Sequence, residues 1–298
     1  RSVRLKTLIK NMEHNQSHIS PSTHLADFEG VSTPSEAERP FVPRIGNWSA
    51  RWIWLSRSVY PRHQRCRATV YCENAHPFTV ALIRKEFSVP FTPVRTTAWI
   101  SGDTKYRCQV NGTLIAQGPA EVGGDYGNCE SPEWWFYEGV DLKSCLQKGK
   151  NVIAADVMLG PQVQADYSMG RGAFLLELLI EGEGGEQFTL CTDHTWRATL
   201  SSAETQPGTY DARHELRGWT TVDFDDSDWP QADIVSTVEQ SQWNLLPREI
   251  PMLAETRIPP IAVVSAGKPA PHGLFPLLLE PGGPHTFRLQ FPREVAGY

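Results

Sequence analysis

From Trp48 onward the chain is written in short runs of Val, Ile, Thr and aromatic residues, each soon cut off by Gly, Pro or Asp. Runs this short do not make core helices; they suit extended strands joined by tight turns, and the texture predicts an all-β sandwich. The first strands read as 68–71, 79–89, 95–101 and 106–110. Asn111 and Gly112 both tolerate positive φ, so they predict a two-residue hairpin loop whose twist matches the flanking strands. Tyr106, Cys108 and Val110 alternate before that turn, and Leu114 and Ala116 after it. A second hairpin is expected at 181–185, between the apolar run ending at Ile180 and residues 187–190. Short helical turns are expected at 142–147, ending near Gly149, and at 225–229, where Asp can cap the first turn.

The texture also divides the chain. Residues 1–43 are rich in Ser, His, Pro and charged types, and after a short helical stretch at 3–12 they show no period, which predicts a flexible leader. Residues 44–258 form the sandwich region. The pattern weakens between Trp229 and Pro259, and the proline spacing of IPMLAETRIPP (250–260) reads as an extended connector. Residues 259–298 then read as connector and the opening strands of a second β-domain.

A net charge of -6 without a long basic run argues against nucleic acid, whose phosphates require clustered Lys and Arg. No apolar run approaches the roughly 18 to 20 residues that span a bilayer; the longest, 173–180, is interrupted by Glu177. The six cysteines show no CxxC pair and no zinc-type His spacing. Cys66 and Cys72, if they share one strand, lie about 20 Å apart, beyond the roughly 7 Å reach of a disulfide. Buried free thiols are therefore expected, which favours a reducing, cytoplasmic setting. No initiator Met is present, and the chain is read as a fragment.

Three segments offer chemistry. Residues 123–137, GGDYGNCESPEWWFY, combine the polar groups Asp125, Tyr126, Asn128, Glu130 and Glu133 with Trp134 and Trp135. A sugar site needs an aromatic face and a few fixed polar groups. Adjacent strand residues point to opposite faces, so one of the two tryptophans can serve the core while the other is exposed. The competing reading is a structural loop with both tryptophans packed inside or against the next domain. The acidic cluster Asp223, Asp225, Asp226 and Asp228 fails as an EF-hand, because the sixth position from Asp223 is Asp228 and the twelfth is Ile234. Capping, with Trp229 anchoring the turn, is expected instead. Asp211, Arg213, His214, Glu215 and Trp219 invite a glycosidase reading, which needs two carboxylates about 5 to 10 Å apart. A buried Asp211 or Glu215 paired with Arg213 is the expected structural role. The chain has no GxSxG, HExxH or GxxxxGK[ST] motif.

The stretch YDARHELRGWTTVDFDDSDW (210–229) resembles the N-terminal β-sandwich region of bacterial-type α-L-rhamnosidases. ARWIW (50–54), IRKEFSV (83–89), VNGTLIAQGP (110–119), YEGVDL (137–142), LQKGKNVIAADV (146–157), RGAFLLELLIEG (171–182), TDHTW (192–196) and LPREIPMLAE (246–255) resemble it in order and spacing. The likeness runs from about Trp48 to the end, and FPREVAGY (291–298) resembles the start of the family's next β-domain. It implies a jelly-roll, galactose-binding-like sandwich and a non-catalytic role, with the paired acids of rhamnoside hydrolysis in an (α/α)6 barrel that this chain does not contain. Some rhamnosidase sandwiches bind rhamnose through a calcium-assisted loop, and residues 123–137 lie roughly where such a loop would fall, so Asp125 and Asn128 become oxygen donors to test by calcium removal. A freestanding carbohydrate-binding jelly roll is the alternative. Sandwich domains of β-galactosidase or β-glucuronidase type resemble RKEFSVP (84–90), the Asn-Gly turn and GKNVIAADV (149–157), but lack the YDAR and FDDSDW signatures.

Overall fold

The computed structural model describes residues 46–59, 78–120, 134–160, 172–252, 258–265, 268–269 and 287–293. In chain order the strands are β1 (Arg51–Trp54), β2 (Thr79–Val89), β3 (Pro93–Asp103), β4 (Lys105–Val110), β5 (Thr113–Gly118), β6 (Trp135–Val140), β7 (Gly149–Leu159), β8 (Ala173–Gly182) and β9 (Gln187–Cys191). They continue as β10 (Arg197–Leu200), β11 (Glu204–Gln206), β12 (Thr209–Tyr210), β13 (Asp233–Thr237), β14 (Leu245–Pro247), β15 (Ala262–Ser265), β16 (Lys268–Pro269) and β17 (Phe287–Gln290). A seven-stranded sheet runs β13-β1-β8-β3-β6-β14 with β9 also on β8, and a five-stranded sheet runs β10-β2-β7-β4-β5. Pairing within both is antiparallel except for β14, which lies parallel to β6. The result is a jelly-roll sandwich. The strands after residue 259 pair among themselves as a separate three-stranded sheet, β16-β15-β17.

Alternation places the core. Between the sheets lie Ala81, Ile83, Phe87 and Val89 of β2, Ile153, Ala155, Val157 and Leu159 of β7, and Phe174, Leu176, Leu178 and Ile180 of β8. β2 and β7 stay in register over their full length, from Thr79 opposite Leu159 to Val89 opposite Gly149. β8 does not alternate in sequence, because its other face is buried too. On that outer side Ala173 and Leu175 join Trp48, Trp52, Trp99, Trp135, Tyr137 and Trp243 in a second cluster. Glu177 also falls there, buried, and its Oε2 accepts from the backbone N–H groups of Ser49 at 2.7 Å and Ala50 at 2.9 Å. A buried carboxylate needs such partners, and here it fastens the lead-in to β1. A third cluster, Val80, Leu82 and Trp229, forms on the outer side of the five-stranded sheet.

The Asn-Gly hairpin forms between β4 and β5, with φ of 50° at Asn111 and 79° at Gly112. The alternation after it is broken. Gln109 faces Leu114 while Cys108 faces Ala116, so Ile115 is an extra residue in a bulge, and Leu114 is exposed. The 181–185 turn joins β8 to β9, as expected.

The short helical turns expected at 142–147 and 225–229 are present as single turns that go no further. At 142–147 the chain makes one turn, with Leu146 N–H donating to the Leu142 carbonyl at 3.1 Å, before Gly149 enters β7 at φ 94°. At 225–229 it makes one turn closed by Trp229 N–H to the Asp226 carbonyl, 2.9 Å. Six or fewer residues do not repay the cost of nucleating a helix. A three-residue 3-10 turn also occurs at Ala212–His214. The weak stretch after Trp229 also holds two strands unseen in the sequence, β13 and β14, whose half-exposed residues give neither a continuous apolar run nor clean alternation. The expected strand at 68–71, the leader, and Cys66, Cys72 and Cys129 lie outside the described residues. Cys108 is a buried thiol outside any disulfide, as expected, whereas Cys145 and Cys191, also outside disulfides, are only partly buried.

Candidate functional site

The described part of the 123–137 segment, residues 134–137, runs into β6. Asp125, Tyr126, Asn128, Glu130 and Glu133 lie outside the described residues. The two tryptophans do divide as strand geometry requires: Trp134 is 51% exposed and Trp135 2%. Trp135 is fixed by its indole N–H, which donates to the Gly102 carbonyl at 3.2 Å, and by its backbone N–H to the Asn244 carbonyl at 2.9 Å. Around it the aromatic cluster is closely built. Trp48 meets Tyr137 edge-on at 5.2 Å, Trp52 lies 4.4 Å from Trp243, and the Trp243 indole N–H donates to Asp103 Oδ2 at 3.1 Å. These rings are buried and serve packing; among the described residues of the segment, Trp134 is the exposed aromatic that can meet a ligand or a partner.

On the opposite side of β6, Glu138 points into the sandwich. The Tyr106 hydroxyl donates to its Oε2, Ala120 N–H to Oε1 at 2.9 Å, and Arg248 Nη1 to Oε1 at 3.3 Å. Gly118 is required at this point, since a Cβ there would stand 2.5 Å from the carboxylate. Burial pushes the Glu138 carboxyl up to about 7, against the pull of Tyr106, Ala120 and Arg248.

The 210–229 segment lies against the five-stranded sheet. Its acidic run is a clasp. Asp226 accepts from Arg84, whose side chain is 1% exposed, and stands 3.3 Å from Arg197; Asp223 pairs with Lys150 at 2.5 Å. Arg84 also donates to the Phe224 and Thr221 carbonyls, with its guanidinium 5.4 Å from the Phe224 ring centre. Asp225 accepts from Ser227 N–H, an Asx-type turn in place of a helix cap. The expected buried pair at Asp211 is corrected. Asp211 does bind Arg213, at 2.8 and 2.5 Å, but Arg213 and Glu215 are exposed, because the segment runs over the surface instead of entering the core. Arg213 holds the Asp211 carboxyl well below the usual carboxylate range, so it is unsuited to proton transfer near neutrality. Among the described residues no group of three His, Cys, Asp or Glu is arranged to hold a metal, and no helix is long and apolar enough to cross a membrane.

Sequence reasoning passed over Arg84, Glu138 and Arg248. Strand parity could have found Glu138, which shares the inward side of β6 with Val140. Nothing local pointed to Arg84, whose carboxylate partner lies 142 positions away.

Two mostly antiparallel sheets packed face to face define a jelly-roll β-sandwich module. Residues 92–252 match the family described as the alpha-L-rhamnosidase N-terminal domain, and the chain belongs to that family. The alpha-L-rhamnosidase of Streptomyces avermitilis is 29% identical over 163 residues, covering 49% of this chain and 15% of the relative. The alpha-L-rhamnosidase of Formosa agariphila is 22% identical over 210 residues, covering 61% and 21%. The crystal structure of the GH78 family rhamnosidase of Bacillus sp. GL1 superposes with a TM-score of 0.58 at 26% identity, covering 74% of this chain and 22% of that one. The chain thus spans between 15 and 22% of the length of these relatives.

Proposed function

We propose that this chain is the non-catalytic N-terminal accessory region of an α-L-rhamnosidase-like glycoside hydrolase acting on rhamnose-containing glycosides. Residues 44–258 are its sandwich region, and 259–298 lead toward a further β-domain. The observation that carries the reading is the family match over 92–252 in a chain that covers only 21% of its Formosa agariphila rhamnosidase relative. The fate of the candidate carboxylates supports it: Asp211 is tied to Arg213, Asp226 to Arg84, and Glu138 to Arg248. Purified chain incubated with a chromogenic α-L-rhamnoside is expected to give no turnover. Activity that survives purification and disappears in Asp211→Asn or Glu215→Gln refutes the reading.

The exposure of Trp134 favours a second role, as a carbohydrate-facing platform completed by Asp125, Tyr126 and Asn128. Titration with L-rhamnose, followed by tryptophan fluorescence in the parent chain and Trp134→Ala, tests it, and a chelator arm asks whether Asp125 and Asn128 act through calcium. Saturable binding tighter than about 1 mM, roughly -4 kcal/mol, that is lost in the variant makes the sandwich a sugar-binding module.

A further inference from the structure

Glu138 is 1% exposed, and its carboxylate is met by donors from three separate places. Tyr106 comes from β4, the Ala120 amide from just past β5, and Arg248 from just past β14. Among the described residues Arg248 is the cation facing it, and Tyr106 the other titratable group. Arg248 is itself a hub. Its Nε donates to the Ile250 carbonyl at 2.9 Å, its Nη2 to the Pro251 carbonyl at 3.0 Å, and its backbone N–H to the Tyr137 carbonyl at 2.9 Å. The chain leaving β14 is therefore gathered around one guanidinium, which is anchored to the sandwich by one carboxylate. Just beyond it Ile250 and Met252 are exposed and add little apolar anchoring.

We propose that Glu138 and Arg248 form a proton-operated latch, in which ionised Glu138 holds segment 248–251 against the sandwich and protonation of Glu138 releases it. All three neighbours donate, so the ionised carboxylate is the form whose lone pairs they answer. A proton on Oε2 must be accepted by the Tyr106 oxygen, whose own hydrogen then turns away, and Arg248 is left with a neutral partner and a weaker bond. Burial brings this change into the neutral range, since it raises the Glu138 carboxyl to about 7. Tyr106 remains protonated throughout, because burial and then the Glu138 charge push its hydroxyl well above its ordinary value.

The latch has a signature that plain destabilisation lacks. The unfolded chain has the ordinary carboxyl value of 4.5 and the latched chain about 7. Release removes the pull of Arg248, which raises the value further as long as the carboxyl stays buried between Tyr106 and Ala120. Between 4.5 and about 7 the folded chain holds more proton than the unfolded one, so Glu138's contribution to global stability is full below 4.5 and is lost as pH rises through 7. The released state holds more proton than the latched one, so acidification opens the latch. One residue thus strengthens the whole fold and frees one segment as pH falls.

Hydrogen exchange on the full chain between pH 8 and 6, corrected for the intrinsic pH dependence of exchange, reads the Arg248 amide; urea midpoints read the global fold. Protection at Arg248 is expected to fall about fivefold between pH 8 and 6, the part of a tenfold total change that this window captures if Arg248 moves the Glu138 value by one unit. In Glu138→Gln it is expected to be low and flat. Constant protection in the parent chain, or the same slope in Glu138→Gln, overturns the latch. If Glu138→Gln does not fold, the carboxyl carbon titration of Glu138 in Arg248→Met decides: an upward shift of the midpoint supports the latch, and an unchanged midpoint overturns it.

Discussion

The two sheets cover their outer faces by different means. The seven-stranded sheet is roofed by aromatic rings, with Trp52, Trp99, Trp135 and Trp243 all at or below 3% exposure. The five-stranded sheet carries a strip of chain, 216–229, held by Trp229 and Phe224 but fastened by Arg84 to Asp226 and by Lys150 to Asp223. Apolar burial is indifferent to salt, whereas the charge clasp is screened wherever water reaches it. One roof is built for strength and the other for placement, since directional bonds to Phe224 and Thr221 carbonyls fix where the strip lies.

The largest effect should come from the aromatic roof. Trp52→Ala is expected to destabilise the fold by about 3 to 5 kcal/mol, equally at low and high salt, as read by urea unfolding. A loss under about 1 kcal/mol would dissolve the distinction between the roofs. Asp226→Asn leaves the buried Arg84 without its closest carboxylate, at an expected cost of about 2 kcal/mol. Here the difference from the parent chain should shrink in high salt, and a salt-independent cost would show that the clasp works by shape alone. The smallest effect tests the turn beneath the strip. Gly112 has φ 79°, and a Cβ would meet Thr221 at only ordinary contact, 3.5 Å, so Gly112→Val should cost a little over 1 kcal/mol through backbone strain. An unchanged thermal midpoint would mean that the turn relaxes freely.

The same contrast explains what was legible in the sequence. A short β-branched and aromatic run gave β2 with both of its ends, and the Asn-Gly pair placed the turn between β4 and β5, because each signal is local. Trp134 and Trp135 were legible as one outward and one inward residue by parity alone. Buried charges were not. Glu177 is satisfied by backbone amides 127 and 128 positions away, and Arg84 by a carboxylate 142 positions away, distances over which sequence pattern carries no information. Asp211 misled for a related reason: a carboxylate beside an arginine reads as a buried pair, yet whether it is buried depends on where the whole strip lies.

The bulges have a consequence for how such a sandwich behaves at high concentration. β5 borders the five-stranded sheet and β13 the seven-stranded one, and each carries an extra residue, Ile115 opposite the Cys108 and Gln109 step and Val235 opposite the Trp52 and Ile53 step. At another border of the larger sheet, β14 is three residues long and ends in Pro247, which has no N–H to offer. An uninterrupted border would be a template on which another chain could add a strand, the first step toward aggregates. Kinks on two borders and a proline on a third leave no long flat row of free amides on those three, so strand addition is disfavoured at each of them.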